Sequence, residues 1–339
     1  MLLLAIESSC DETSAAVIQD STVLSNIISS QYFHQKFGGV VPELASRAHL
    51  QNISKIVEDA IKVSYKTIQE IEAIAVTTQP GLIGSLVVGS SFAKGLSIKY
   101  NVPIIPVNHI EGHLYSGCLQ NSNLDFPFIS LVVSGGHTTL FYVKSYNEYD
   151  IIGSTRDDAA GEAFDKIAKL LGLSYPGGPE VDKLARKGLS TKFDFPRSMI
   201  NSGDYQFSFS GLKTSVRYFI DKRYPNGIPS EVLPDIAASA QEAIVDVLIK
   251  KSIEAAVEYK TKSIVIAGGV SANSRLREKL NNTAKKKNIN IIAPDMNYCM
   301  DNAAMIGFIA EKKFDEKPDN FFMNLKFTVS SNAIRAKRK

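Results

Sequence analysis

The chain has 339 residues, of which 44% are hydrophobic and 22% charged, and its formal net charge is +3. This composition is typical of a globular protein, and the length predicts two domains or one large duplicated fold. No apolar run approaches the roughly 18 residues of a membrane span. The opening "MLLLAIESSC" has neither a basic region nor a small-residue cleavage site, so it predicts a buried strand and not a signal peptide.

The three cysteines, Cys10, Cys118 and Cys299, are too few and too scattered for a disulfide framework. We therefore expect a reducing, cytoplasmic setting. Basic residues cluster at 284–288 and 335–339. Such clusters can meet nucleic acid, although charge alone favours a solvated surface.

The first part of the chain alternates between short apolar runs and helical patterns. The predicted elements are three strands within 2–28, a helix at 42–63, a strand within 72–81, a small-residue helix at 84–100 and a strand at 102–107.

The same order then begins again. Its elements are a hairpin at 127–143, a strand at 149–155, a strand at 263–269, a helix from Ser271 and a strand at 289–294, before a last helix that contains 300–314. We therefore predict a duplication into halves at 1–125 and 126–339, with a polar junction near 120–126 and a helical insertion at about 156–260. Because each half opens with a hairpin whose turn is polar, the order indicates an α/β fold of the actin, sugar-kinase and Hsp70 class, with a phosphate held between the halves.

"HIEGHL" places two of the five histidines, His109 and His113, four residues apart. On a helix both rings lie on one face and could bind one metal ion. The alternative is a pair of partly buried histidines bonded to the backbone. Asp301, set among apolar residues near the start of the last helix, is of the right type to be a third ligand or, alternatively, a helix cap. Three protein ligands would leave coordination positions open for a substrate.

Two turns are candidates for binding phosphate. In "VSGGHTT", Gly135 and Gly136 allow close backbone approach, and Ser134, His137 and Thr138 add side-chain donors. The companion turn "SSCDET" carries the carboxylates Asp11 and Glu12, which could orient a metal or a nucleophile. Simple turn roles are the alternative at both places.

Further candidates lie in the second half. Asp165 lies in a predicted helix whose other face is apolar, and its carboxylate could accept hydrogen bonds from ribose hydroxyls. The run "YPGGPEVD" predicts a tight turn at Gly178, followed by Asp182. In "AGGVSANSRLRE", a glycine turn before a helix suits a nucleotide, with Ser271 as the expected N-cap and Asn273 available to a base or ribose. Each pattern also fits an ordinary cap or a solvated carboxylate.

Taken together, "IESSCDETSAAV", "HIEGHL", "VSGGHTT", "GEAFDKIAKLLGLSYPGGP", "FSFSGLKTSV", "AGGVSANSRLR" and "MDNAAM" resemble the bacterial TsaD family of tRNA N6-adenosine threonylcarbamoyltransferases. The match runs from about residue 2 to 325. The resemblance implies the actin-like ATPase fold and transfer of threonylcarbamoyl from threonylcarbamoyl-AMP to N6 of adenosine 37, in tRNAs that read codons beginning with A.

The resemblance also implies site residues and partners. His109, His113 and Asp301 would hold one divalent metal ion, iron or zinc. Residues 134–138, Asp165, Gly178, Asp182 and Asn273 would line the adenylate site, and Asp11 and Glu12 would be catalytic. The partners would be the tRNA anticodon loop and the proteins TsaB and TsaE, with no membrane involved.

Other functions stay open at this point. A sugar kinase or Hsp70-like ATPase would share the fold but would not need the two-histidine helix. A metalloprotease would lack its usual base, because no glutamate follows His109 directly. A scaffold without catalytic activity is the third alternative. For loop phosphates, charge alone suggests Lys213, Arg217, Arg275 and the basic tail.

Overall fold

A computed structural model describes residues 1–119, 125–316 and 325–332 of the chain. Most of the predicted junction and the basic tail at 335–339 lie outside these ranges. Within them, no helix is long and apolar enough to cross a membrane. The chain forms two compact units, one made of Met1–Asn123 with Pro294–Lys339 and the other of Leu124–Ala293.

The first unit is built on a sheet with the strand order β3-β2-β1-β4-β5 among the described residues. Its strands are β1 (Leu2–Glu7), β2 (Glu12–Gln19), β3 (Thr22–Ser30), β4 (Ala73–Gln79) and β5 (Ile104–Asn108). β1, β2 and β3 pair antiparallel, while β4 lies parallel to both β1 and β5. Every residue of β1 is buried, as expected for a central strand covered on both faces.

The second unit repeats this topology. Its strands are β6 (Phe128–Val133), β7 (Thr138–Ser145), β8 (Glu148–Ser154), β9 (Ser263–Ala267) and β10 (Asn290–Ile292). Read from β8, their order in the sheet is β8-β7-β6-β9-β10, again with a meander followed by two parallel strands. The predicted α/β duplication is therefore confirmed.

The described helices follow the order predicted along the chain. They are α1 (Pro42–Val63), α2 (Ile83–Tyr100), α3 (His109–Leu114), α4 (Ala160–Leu170), α5 (Gly177–Ala185), α6 (Ser210–Arg223), α7 (Leu233–Glu258), α8 (Ser274–Lys285) and α9 (Ala303–Glu316). α4 to α7 lie between β8 and β9 along the chain and form the expected helical insertion. α7 is the most deeply buried of them, with apolar side chains packed in the core of the second unit.

The last helix groups differently from the predicted division, which assigned everything after residue 125 to the second half. The structure groups Pro294–Lys339 with the first unit. The reason is packing, because α9 lies against β1 and β2. A Cβ built on Gly307 would lie 2.3 Å from Ile18 Cδ1 and 3.0 Å from Ala5 Cβ, so the helix needs glycine at this contact. This packing brings the start of α9 to the first sheet.

The helix predicted from Ser271 begins later. Residues Gly269–Ala272 form a 3-10 turn, and α8 starts at Ser274 with Asn273 as its N-cap. The Asn273 side-chain oxygen accepts from the backbone N–H of Leu276 at 2.9 Å. The prediction of Ser271 as the cap was wrong, because asparagine caps equally well and Gly268, at φ +83°, first turns the chain.

Candidate metal centre and adenylate site

The two histidines of "HIEGHL" lie on one short helix, as their spacing predicts. Asn108, the last residue of β5, starts α3 by accepting from the backbone N–H of Ile110 at 2.8 Å. The rings of His109 and His113 meet edge to face with centroids 4.7 Å apart. Both side chains are buried. The end of β5, the strand at one edge of the first sheet, and the Asn108 cap thus fix both imidazoles on one short helix.

Asp301 reaches this pair from the segment before α9. Its Oδ1 atom lies 3.0 Å from His113 Nε2 and 3.5 Å from His109 Nε2. At the start of α9 it is Asn302 that accepts from the backbone N–H of Met305, at 3.0 Å. One ligand atom from each of His109, His113 and Asp301 lies within 4.8 Å of the others, so together they could hold a metal ion. Two imidazole nitrogens and a carboxylate oxygen are a donor set that suits iron or zinc.

His109 and the carboxylates of Glu7 and Asp301 affect one another's ionisation. Burial lowers the pKa of its ring, but the carboxylates of Asp301 and Glu7 outweigh burial and raise the pKa to about 9. Burial opposes ionisation of Glu7, yet the charge and hydrogen bond of His109 hold its pKa below the ordinary value. Without a metal, the ring is therefore an imidazolium between two carboxylates at neutral pH. A cation is favoured at this point, whether it is a proton or a metal ion.

Asp11 and Glu12 lie at the turn between β1 and β2, in the same unit. Glu12 is buried as the first residue of β2. Burial, together with the negative charges of Asp301 and Asp11, raises its pKa well above the ordinary value. Glu12 is therefore suited to hold a proton, whereas the partly exposed Asp11 is the more accessible carboxylate.

A third histidine fixes this turn. The Nε2–H of His49 donates to the carbonyl oxygen of Cys10 at 2.8 Å, and the Thr13 hydroxyl donates to its Nδ1 at 2.8 Å. Burial lowers the pKa of His49, which keeps the ring neutral and able to serve as donor and acceptor at once. His49 thus bonds the residues on both sides of Asp11 and Glu12 and stabilises the turn that carries them.

In the second unit, the "SGGHT" turn joins β6 to β7. The backbone N–H of Ser134 donates to the carbonyl of His137 at 2.8 Å, and the Ser134 hydroxyl accepts from the backbone N–H of His137 at 3.2 Å. A Cβ on Gly135 or Gly136 would meet nothing within 4 Å, so the turn is open. Thr138 is buried, and its hydroxyl accepts from the N–H of Ala160 at the start of α4. Thr138 therefore links the turn to α4.

The other predicted residues form two contacts in this unit. Asp165 on α4 accepts from the N–H of Gly177 at 2.7 Å, and burial raises its pKa despite backbone hydrogen bonds from Gly177 and Gly178. Asp182 on α5 accepts from the Ser274 hydroxyl at 2.8 Å. Asp182 therefore connects α5 to Ser274, the first residue of α8 after the Asn273 cap. Asp165 and Gly178 instead connect α4 to α5.

A cavity of about 290 Å³ lies in the second unit beside these residues. Gln241, which lines it, accepts from the Asn273 amide at 2.8 Å. Arg275 also lines it and makes a bidentate contact with Glu242, at 2.7 and 2.9 Å. Sequence reasoning missed Gln241 and Glu242, because nothing in the pattern of α7 distinguishes them from solvated helix residues.

Of the basic candidates, Lys213 and Arg217 lie on α6, and Arg217 is exposed. Arg275 is neutralised by Glu242 and is only partly exposed. The three cysteines are free, as expected for a chain without disulfides.

Solved structures define the class of fold. A HypF protein from T. kodakarensis matches with a TM-score of 0.60 at 14% identity, over 94% of this chain and 48% of that one. Component A of (R)-2-hydroxyglutaryl-CoA dehydratase from Acidaminococcus fermentans matches with a TM-score of 0.56 at 12% identity, over 92% and 98% of the two chains. The duplicated sheets and these neighbours define an actin-like ATPase fold.

Within that class, the chain belongs to the TsaD family, whose model, described as tRNA N6-adenosine threonylcarbamoyltransferase, matches residues 22–308. Proteins with that name are close relatives. The one from Thermosipho africanus is 50% identical over 93% of this chain and 94% of its own length. The one from Kosmotoga olearia is 51% identical over 92% and 93%, and one from Clostridium botulinum is 50% identical over 91% of each.

Proposed function

We propose that this protein transfers the threonylcarbamoyl group from threonylcarbamoyl-AMP to N6 of adenosine 37 in tRNAs that read codons beginning with A, releasing AMP. Membership of the TsaD family and the names of its relatives support this reaction. The single structural observation that carries the proposal is the convergence of His109, His113 and Asp301 within 4.8 Å. A kinase or chaperone ATPase of this fold class has no need of such a set.

We assign these three residues as ligands of one divalent iron or zinc ion. When bound, such an ion supplies a Lewis acid with open positions for substrate oxygens. The donor set fits because imidazole nitrogen and carboxylate oxygen are both ligands of iron and zinc in proteins. The carboxylate is also the most exposed of the three, with a side-chain accessibility of 22%, so the site opens on that side.

The adenylate is proposed to lie on the second unit. In the turn from Ser134 to Thr138, the open Gly135 and Gly136 would offer backbone N–H groups to the phosphate, and Ser134 and His137 would add side-chain donors. The buried Thr138 would support the turn through its contact with α4. Asp165, Gly178, Asp182 and Asn273 would serve the nucleoside. The cavity that Gln241 and Arg275 line lies beside Asn273 and has room for part of such a group.

The N6 amine of adenosine is a poor nucleophile because its lone pair is delocalised into the ring. It must lose a proton as it attacks the carbamoyl carbon, and we assign Asp11 as the acceptor of that proton. Glu12, whose pKa is raised by burial and by Asp301 and Asp11, would remain protonated and limit the negative charge of the turn.

Adenosine 37 lies in the single-stranded anticodon loop, where bases are accessible. Lys213 and Arg217 on α6 are candidates for the loop phosphates. We expect TsaB and TsaE as protein partners. We propose that TsaB would dock on exposed apolar side chains of α1 and α2, among them Leu50, Val87 and Ile98. The reaction would take place in the cytoplasm.

The alternatives make different products. A sugar kinase or Hsp70-like ATPase would consume Mg-ATP without needing the histidines, and a metalloprotease would cleave peptides in a manner that requires His113. A scaffold would show no transfer even with its partners present.

The experiment is transfer from purified threonylcarbamoyl-AMP to unmodified tRNA, with a defined metal and the partner proteins added. Modified adenosine, detected by mass spectrometry of the tRNA, is the expected product. Absence of product under all metal and partner conditions, or an equal yield from a protein lacking His109 and His113, would contradict the proposal.

A further inference from the structure

Glu7 is the last residue of β1 and is fully buried. It belongs to the motif "IESSCDETSAAV" but was not among the predicted site residues. Taking a carboxylate out of water costs several kcal/mol unless hydrogen bonds and a positive charge compensate it. Its position next to the proposed metal ligands therefore requires an explanation.

The surroundings of Glu7 consist of donors. Its Oε1 atom accepts from the backbone N–H of Ser9 at 2.6 Å. Its Oε2 atom accepts from the Thr77 hydroxyl at 2.5 Å and lies 3.1 Å from His109 Nδ1. These donors come from β4, α3 and the turn after β1, so the carboxylate is held from three directions. Ser9 Oγ also lies 3.1 Å from the same ring nitrogen.

The two nitrogens of His109 thus have separate partners. Nδ1 is directed at Glu7, whereas Nε2 is directed at Asp301, 3.5 Å away. A carboxylate that accepts from Nδ1 fixes the tautomer with the proton on Nδ1 and leaves the lone pair on Nε2. That is the nitrogen that faces His113 and Asp301.

We propose that Glu7 is a positioning residue for the metal centre, which holds His109 in the Nδ1–H tautomer with Nε2 free to bind a divalent cation. The inference rests on the proposed function, because it takes His109 as a ligand. His113 differs, since its Nδ1 atom is buried without a hydrogen-bond partner among the described residues. Glu7 therefore orients one ligand of the set specifically.

Glu7→Gln is the sharpest test because it preserves shape. The two oxygens of Glu7 accept from three donors, whereas the glutamine amide has a single oxygen. At least one of the three donors would therefore face the NH₂ group of the variant. We expect the variant to bind Zn²⁺ about 10- to 100-fold more weakly, as removal of such supporting carboxylates does. Zn²⁺ affinity is measured by competition with a chromophoric chelator on the full chain.

A second measurement separates positioning from general damage. Long-range ¹H–¹⁵N spectra of the metal-free protein, recorded at a pH where the ring is neutral, report the tautomer of each histidine, and the wild-type His109 is expected to carry its proton on Nδ1. Glu311→Gln is the matched control, since Glu311 is also a buried carboxylate of the first unit and bonds the Ser21 hydroxyl. It should leave both the affinity and the tautomer at their wild-type values.

The outcomes are distinguishable. Wild-type affinity and an unchanged His109 tautomer in Glu7→Gln would overturn the positioning role and leave the metal site intact. If the wild-type protein binds no Zn²⁺, or if His113→Ala binds it equally well, the proposed metal centre itself fails and the inference falls with it. Should Glu7→Gln not fold, Glu7→Asp takes its place, because its shorter side chain withdraws the carboxylate from Nδ1 and should weaken Zn²⁺ binding in the same way.

Discussion

The Nε2 atom of His113 lies 3.0 Å from the Oδ1 atom of Asp301, although α3 and the segment before α9 are far apart in the chain. This contact exists because α9 packs on the first sheet, where β5 leads into α3. Three side chains from two distant segments can therefore act on one ion.

Replacing His113 tests the metal centre with the least disturbance of its surroundings, because His109 also balances the charge of Glu7. We expect His113→Ala to lose transfer activity by roughly a thousandfold while the protein remains folded, since the change removes a ligand at the reacting centre. Transfer and circular dichroism are measured together. His34→Ala is the control, because this buried histidine bonds Gln31 and the N–H of Val41 instead; a similar loss there would show that the effect is not specific.

Asp11→Asn tests the proposed base. The amide keeps the size of the side chain but cannot accept a proton, so the rate of transfer should fall by about 10²- to 10⁴-fold with the metal content unchanged. Single-turnover transfer from threonylcarbamoyl-AMP is the measurement. A normal rate in this variant would mean that another group takes the proton.

Asp182→Asn tests the adenylate site. Asp182 holds Ser274 and Arg186, at 2.8 Å each, beside the Asn273 cap. We expect AMP to bind about tenfold more weakly, which corresponds to about 1.4 kcal/mol, because a charged acceptor is lost. Calorimetric titration with AMP is the measurement. Asp221→Asn on exposed α6 is the control, and equal effects in both variants would contradict a role for Asp182 in nucleoside binding.

The raised pKa of His109 predicts how stability depends on pH in the metal-free protein. Because the folded-state pKa of about 9 lies above the ordinary 6.5, the contribution of the ring is fully present below pH 6.5 and is lost as the pH rises through 9. The difference corresponds to a few kcal/mol. Urea unfolding of chelator-treated protein between pH 6 and 9 should show this decline. His109→Ala should lack it, and an identical decline in the variant would assign it to other groups.

Gly307→Ala tests the packing of α9 that brings Asp301 to the histidines. The added methyl group would meet Ile18 Cδ1 and Ala5 Cβ on the first sheet. We expect a loss of about 1–3 kcal/mol in the free energy of unfolding and weaker metal binding, since overpacking shifts the helix. Gly95→Ala on α2 is the matched control, because its Cβ would meet nothing within 4 Å. A fully stable Gly307→Ala protein with normal metal affinity would contradict this account of α9.

The sequence predicted most of what depends on local pattern. The strand and helix positions followed from apolar periodicity, and the shared helix face of His109 and His113 followed from their spacing. The sheet against which α9 packs could not be predicted, because periodicity shows that one face of a helix is buried but not which element covers it. The start of α8 was misplaced by three residues, since Ser271 and Asn273 are both good caps and only the turn after Gly268 decides between them.

Glu7 was missed for a different reason. Glu7 ends the apolar run "LLLAIE", and a carboxylate in that position is usually read as an exposed residue at the end of a strand. The sequence did contain a signal, because a carboxylate at the end of a strand that is buried on both faces can itself be buried. Such a carboxylate needs hydrogen-bond donors around it. Its donors Thr77 and His109 come from other elements and become neighbours only in the fold.

The most direct test of the central claim is anomalous X-ray scattering at the absorption edge of iron or zinc, from crystals of the metal-loaded protein. The account predicts one peak about 2.0–2.2 Å from His109 Nε2, His113 Nε2 and a carboxylate oxygen of Asp301. A loaded, active enzyme with no peak there, or with its peak at other residues, would contradict it.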